Sequence, residues 1–280
     1  MLSYTGGIVL LAAMLHASWN AMLHGNRDRF LSMTWMSVAI AAVATFVVLS
    51  VPAPPRAAWP CIAASGLVHC IYNVSLVRSY RRGDLALAYP IARGSSPLLV
   101  TIGAAIFTHE TIGPLRAAGI AMICGGIVAI ALEGRRVSRT GALAALFTGA
   151  TIAVYTVIDG IGVRASNGQA LAYTAWMFLF YWLMPLLFVA VRGVASLWQP
   201  LQAEPLSVVT SLAGGLVSIA AYGIVIWALQ SDAMGAVSAL RETSVVFAVL
   251  IGRMFLRETV SAMRWLACVV VAAGAVCLGL

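Results

Sequence analysis

Long apolar runs alternate with short polar breaks along the whole chain. Cutting at charges and at Pro/Gly turns predicts ten helices, at 3–23, 30–51, 59–79, 84–108, 112–132, 140–163, 169–192, 206–230, 233–256 and 260–280. The breaks read "HGNRDR", "PAPPR", "RSYRRGD", "EGRRVSR" and "RASNGQ", with a softer one at "QSDAMG". About twenty apolar residues cross the hydrocarbon core of a bilayer, so each run is long enough to span it. The strict polar/apolar alternation of a membrane β-barrel is missing from these runs. The pattern therefore predicts an all-α integral membrane protein, a bundle whose connections leave no space for a soluble domain.

Composition agrees. Hydrophobic residues make up 62% of the 280 and charged residues 9%, whereas soluble domains carry about a quarter charged. The mean hydropathy is +0.97. All 17 basic side chains are arginine, and the formal charge is +8. No basic cluster accompanies an RNA-binding or helix-turn-helix pattern, so nucleic acid is not an expected partner; the lipid bilayer is. Twelve arginines fall in the odd-numbered connections and three (Arg56, Arg116, Arg164) in the even ones. The positive-inside rule then places the odd connections in the cytoplasm and both termini in the periplasm of a bacterial inner-membrane protein. The five cysteines lie in apolar segments without CxxC or zinc-ligand spacing, so neither a metal nor another cofactor is expected. No positively charged region precedes the first apolar run, and no cleaved signal peptide is expected.

A shift of 148 positions aligns the chain with itself. Arg93 meets Arg241, Ser96 meets Ser244, Phe107 meets Phe255, Glu110-Thr111 meets Glu258-Thr259, Arg116 meets Arg264 and Gly126 meets Gly274. Two five-helix repeats follow, 1–134 and 135–280. An odd number of helices per repeat makes the second copy enter the membrane from the opposite side. Inverted repeats of this kind underlie alternating access to a central site.

The polar residues inside the runs sit at helical spacing and form stripes. His16, Trp19 and Asn20 share a face of the first helix, and His69, Tyr72 and Asn73 a face of the third. Tyr89, Arg93 and Ser96 do so on the fourth, Tyr155 and Asp159 on the sixth, Ser218 and Tyr222 on the eighth, and Arg241 and Ser244 on the ninth. A charge at mid-bilayer costs at least ~2.5–3.5 kcal/mol, so these stripes are expected to face the bundle interior. Arg93 lies nine residues past Asp84, about 13 Å along a helix and near mid-depth of a ~30 Å core. It is expected either to face a wet cavity and grip a carboxylate, or to pair with Glu242 or Asp159. Arg241 and Glu242 are adjacent, and their side chains are expected to diverge. The aromatics Trp176, Tyr181 and Trp182 are open between interfacial belt and cavity wall, with Trp176 the better cavity candidate and Tyr173 expected in the belt, while Asn20 and Asn73 suit a zwitterion because an amide donates and accepts. His16 and His69 are candidate proton carriers.

HExxH, GxSxG, Walker and dinucleotide-binding sequences are all missing, and no paired acids stand at general acid/base spacing. A carrier is therefore expected rather than an enzyme, with a channel-like pore as the third choice.

Ten short-looped helices in two repeats, with "SSPLLVTIGAAIFTHET" in the fourth, resemble the EamA type of the drug/metabolite transporter superfamily. Pro97 and Glu110 keep that family's spacing between the serine-proline pair and its acid. His109 and Arg257 stand where the family has glycine, and Val245 where the second repeat would have proline. The loop-arginine bias runs opposite to that of many relatives. The resemblance is strongest to the YddG-like branch. It implies export of amino acids, aromatic ones included, or of similar small metabolites, with protons as a candidate coupling ion. A drug or nucleoside exporter of the same fold is the alternative.

Overall fold

The computed structural model describes residues 4–26, 28–81, 85–133, 139–255 and 259–279. In chain order the helices are α1 (Tyr4–Gly25), α2 (Arg29–Ser50), α3 (Trp59–Arg81), α4 (Leu85–Thr108), α5 (Pro114–Leu132), α6 (Arg139–Ala165), α7 (Ala170–Phe178), α8 (Leu183–Arg192), α9 (Ala195–Ala203), α10 (Pro205–Leu229), α11 (Met234–Glu242), α12 (Ser244–Phe255) and α13 (Ala262–Gly279). The described residues contain no strand. Nine segments among them are long and apolar enough to cross a membrane, and α5 supplies a shorter tenth. The chain is an all-helical, multi-pass membrane protein.

Two predicted helices are broken, each for a local reason. Segment 7 passes from α7 through a 3-10 turn (Leu179–Trp182) into α8. Pro185 has no N–H for the carbonyl of Tyr181, and the Cys70 thiol donates to the neighbouring Phe180 carbonyl at 3.3 Å. Segment 9 breaks at Thr243, between α11 and α12. The Thr243 hydroxyl donates to the Leu240 carbonyl at 2.6 Å, a local bond that competes with the helical ladder. The connection between segments 7 and 8, expected to be a loop, contains α9.

Helix α4 stays continuous across Pro90 and Pro97. Pro97 leaves the Arg93 carbonyl without its helical donor, and the Ser96 hydroxyl bonds that carbonyl at 3.3 Å. The serine of the serine-proline pair thus mends the helix that the proline interrupts.

Packing pairs α1 with α10 and α3 with α6, α4 with α6 and α1 with α11–α12, and α5 with α13. Exchanging the two halves (α1 for α6, α3 for α10, α4 for α11–α12, α5 for α13) turns these pairs into one another. Apolar association adds little inside lipid, so small residues set how closely helices approach. A Cβ on Gly119 would lie 2.8 Å from the Gly274 carbonyl, and one on Gly274 would lie 2.8 Å from the Gly119 carbonyl. Gly119→Leu is therefore expected to separate α5 from α13 and cost about 1–3 kcal/mol, read as a lower melting temperature in detergent. An unchanged melting temperature would mean that this contact does not hold the halves together.

The bundle is apolar outside and polar within. Phe46, Leu49, Ile106, Leu206 and Val269 are exposed, whereas Arg93, Asp159, Arg241 and Glu242 are buried. With lipid as the outer solvent, this arrangement satisfies both surfaces.

Candidate substrate site

Glu242 lies between two arginines. Its Oε2 accepts from Arg93 Nη1 at 2.7 Å, and its Oε1 accepts from Arg241 Nε at 3.1 Å and Nη2 at 2.9 Å. The expectation that Arg241 and Glu242 diverge is overturned. Both residues lie in the last turn of α11, which ends at Glu242 before Thr243, and the Arg241 side chain folds back onto its neighbour. Arg93 comes from α4 and Arg241 from α11. The three groups carry a net positive charge, and each is 3% exposed or less.

The cavity beside this triad is contracted, with about 40 Å³ of free space, enough for about one water. Nine expected residues line it: His16, Trp19, His69, Tyr72, Asn73, Tyr155, Ser218, Tyr222 and Arg241. Arg93 does not. It stands behind Glu242 and also meets His16 Nε2, so in this conformation Arg241 is the cation on the cavity wall.

Several other expected residues lie elsewhere. Asn20 donates back to the His16 carbonyl of its own helix at 2.8 Å. Ser96 is engaged with the Arg93 carbonyl, and Ser244 is buried at the start of α12, off the cavity. Trp176 packs edge-on against Trp59 with ring centroids 4.7 Å apart. Tyr173 is fully buried rather than in a belt, and donates to Asp159 at 2.9 Å. The side chain of Tyr89 lies outside the described residues.

Tyr181, an aromatic that the sequence left open between belt and cavity wall, lies on the wall. Met33, Met36, Ile40 and Phe178 complete it and were not anticipated. They are ordinary apolar residues whose facing depends on the bundle.

Rings dominate the wall. His69 lies 4.1 Å from Tyr155 and 5.0 Å from Tyr222, and Phe178 lies 4.9 Å from Tyr181, centroid to centroid. The Arg241 guanidinium carbon is 6.0 Å from the Tyr155 ring centroid, at the outer range of a cation–π contact. Two buried polar atoms of wall residues, His69 Nε2 and Asn73 Nδ2, have no hydrogen-bond partner, which is unusual for groups at this depth. One cation, no acid, a ring-lined wall and two unsatisfied polar atoms suit a small molecule with a carboxylate and an apolar body.

The ends of the bundle differ. On the even-loop face, Arg164 pairs with Glu110 at 2.6 Å and donates to the Leu229 and Asp232 carbonyls at 3.0 and 2.9 Å. Glu110 also accepts from the Met234 N–H at the start of α11, at 3.0 Å. Glu110 stands nearest in sequence to the free N–H groups at the start of α5. It instead joins its own half to the other one, because that free N–H is closer in space than in sequence. Glu258 lies outside the described residues. On the odd-loop face an open groove lies between the end of α1 and the start of α10. Met22 and Met36, which meet over Gly214, stand between that groove and the cavity.

Glu110→Gln retains an acceptor but loses the ion pair. For a partly exposed pair that also holds a helix end, a loss of about 1 kcal/mol is expected. Folding yield should fall more than substrate selectivity changes. Wild-type yield with altered selectivity would give Glu110 a transport role.

Ionisable groups buried in a membrane bundle are costly and mark functional sites such as substrate or ion pathways. The profile of the EamA-like transporter family matches residues 139–280, just over half of the chain, and the chain belongs to that family. A solved crystal structure superposes on it with a TM-score of 0.73, covering 98% of this chain and 94% of that one at 22% identity; the likeness is one of fold. No curated protein matches the chain significantly.

Proposed function

We propose that this membrane transporter exports amino acids, with a preference for aromatic or large apolar side chains, by alternating access. The observation that carries the reading is the cavity wall: Arg241 is its one cation, it has no acid, and Trp19, Tyr72, Tyr155, Phe178, Tyr181 and Tyr222 surround the space. A guanidinium holds a carboxylate with two parallel hydrogen bonds, and rings accommodate an apolar body and present π-faces to an ammonium. The unsatisfied Asn73 amide and His69 Nε2 supply further polar contacts. Because the free space is so small, substrate admission requires the wall to open. The groove on the odd-loop face, the expected cytoplasmic side, is the natural entrance for an exporter, while the Arg164–Glu110 clasp closes the other face.

In this reading 1–134 and 135–280 are the two inverted repeats. The family match to residues 139–280 and the exchange-related helix pairs support the division, and the proposed substrate class is the one that the resemblance to the YddG-like branch implies. The test is counterflow and uptake of labelled amino acids in proteoliposomes. Saturable counterflow of phenylalanine or tryptophan, with little transport of neutral drugs or nucleosides, is expected. Equal transport of solutes lacking a carboxylate would favour the drug or nucleoside reading, and flux without saturation or counterflow would indicate a pore.

The reading also sets orientation. Twelve arginines against three support a topology with both termini in the periplasm of the inner membrane. A reporter active only in the cytoplasm should be silent when fused after Leu280, and a bright fusion would reverse the assignment.

A further inference from the structure

Asp159 belongs neither to the arginine triad nor to the cavity wall, yet it is fully buried. Among the described residues it makes no ion pair. Its carboxylate is held by hydroxyls instead: Tyr173 donates to Oδ1 at 2.9 Å and Tyr222 donates to Oδ2 at 2.6 Å, and the Ser65 hydroxyl faces the same carboxylate. His69 Nδ1 lies between two acceptors of Ser65, its carbonyl at 3.0 Å and its Oγ at 3.1 Å, and the opposite nitrogen of that ring, Nε2, is the unpartnered atom of a cavity-wall residue.

The donors around the two buried acids decide what each can do. Arginine only donates, so a protonated Glu242 would face guanidinium groups unable to accept its hydrogen. A hydroxyl both donates and accepts. When Asp159 is protonated, one hydroxyl turns to accept, and every polar atom stays satisfied with no heavy atom moved. Glu242 is thus surrounded by groups that only donate, while Asp159 is surrounded by groups that can both donate and accept.

Resting on the transporter reading, we propose that Asp159 is the carrier's proton-binding site, loaded from the cavity through His69 and Ser65, and that it couples transport to a proton gradient. A proton from the cavity binds His69 Nε2. The Nδ1 proton passes to Ser65 Oγ, and the Ser65 hydroxyl proton passes to the Asp159 carboxylate. The net result is one proton moved from cavity to Asp159, with His69 neutral before and after in opposite tautomers. Rotation of the imidazole, or return of the proton along the same path, resets the ring. Tyr222, which touches both the cavity and Asp159, offers a second hydroxyl at the same junction.

The titratable and charged groups around Asp159 are few. Helix α3 brings Cys61 and His69, α7 brings Tyr173, α10 brings Tyr222 and α6 itself brings Tyr155. Helix α11 brings Arg241, whose charge acts on Asp159 without an ion pair. Arg93 of α4 is committed to Glu242, Arg164 at the end of α6 to Glu110, and Arg56 at the head of α3 is exposed.

Two measurements on the full chain test this. In infrared difference spectra of the purified protein, a carboxylic-acid carbonyl band should grow as pH falls and be lost in Asp159→Asn. If that variant does not fold, Tyr222→Phe and Ser65→Ala, which keep the carboxylate, should shift the pH at which the band grows. In proteoliposomes, a pH gradient should drive uptake of labelled phenylalanine by the wild type. Asp159→Asn should lose that drive while retaining counterflow, and Ser65→Thr should restore what Ser65→Ala loses. The proposal is overturned by a band indifferent to Asp159→Asn and to both hydroxyl variants, or by phenylalanine uptake indifferent to the gradient. If the band behaves as expected but no amino acid is transported, the proton site stands and the amino-acid assignment falls.

Discussion

Glu242→Gln is expected to be the most damaging single substitution in the protein. The wild-type carboxylate separates two buried guanidinium groups, bonded to Arg93 at 2.7 Å and to Arg241 at 2.9 Å. Glutamine leaves two like charges without a counter-ion, and removing one partner of a buried ionic group costs about 3–5 kcal/mol. Arg93→Met and Arg241→Met should each cost less, because either leaves a neutral Arg–Glu pair. Replacing all three by methionine should recover much of the lost stability, since well-packed apolar residues often match or exceed a buried ionic group, but should abolish transport. Melting temperatures of the purified variants give the ranking. A Glu242→Gln protein as stable as either arginine variant would mean that the triad is not what holds α4 to α11.

Arg241→Ala should weaken apparent affinity for amino acids about ten- to a hundredfold, from the roughly 1.5–3 kcal/mol of a charge-assisted hydrogen bond. Arg241→Lys should fall between, since it keeps the charge and loses the two-pronged geometry. An amino-acid amide, which lacks the carboxylate, should hardly register either change. Arg93→Ala should act mainly on stability, because Arg93 is turned toward Glu242 and away from the cavity. Binding isotherms of phenylalanine and its amide separate the two roles. Equal losses for acid and amide with Arg241→Ala would remove the carboxylate contact and leave Arg241 a structural residue.

The position of the site was largely legible in sequence. A charge or amide within an apolar run must turn inward, and spacing of three or four fixes its helical face, so His69, Tyr72, Asn73, Tyr155 and Tyr222 were found without coordinates. Roles were harder to read. Arg93 and Arg241 occupy equivalent repeat positions, yet one is behind Glu242 and the other on the wall. The difference comes from one non-repeated residue, Glu242, whose mate is Gly94. Tyr173 looked like an interfacial aromatic because its distance from the segment end was visible and its partner Asp159, fourteen residues earlier, was not.

Apolar run length determined that the chain crosses the membrane about ten times, and the internal similarity predicted an organisation in two halves. The first is a local consequence of a solvent that penalises every unsatisfied polar group. Tertiary structure alone decided which polar groups meet. Arg241, in the last turn of α11, folds back onto Glu242. Glu110 reaches α11 rather than its neighbour α5, and Asp159 receives hydroxyls from α3, α7 and α10 rather than a cation. Hydrogen bonds in a bundle are made across helices distant in sequence. Periodicity can say that a residue faces inward, but only the packed helices supply the partner it finds there.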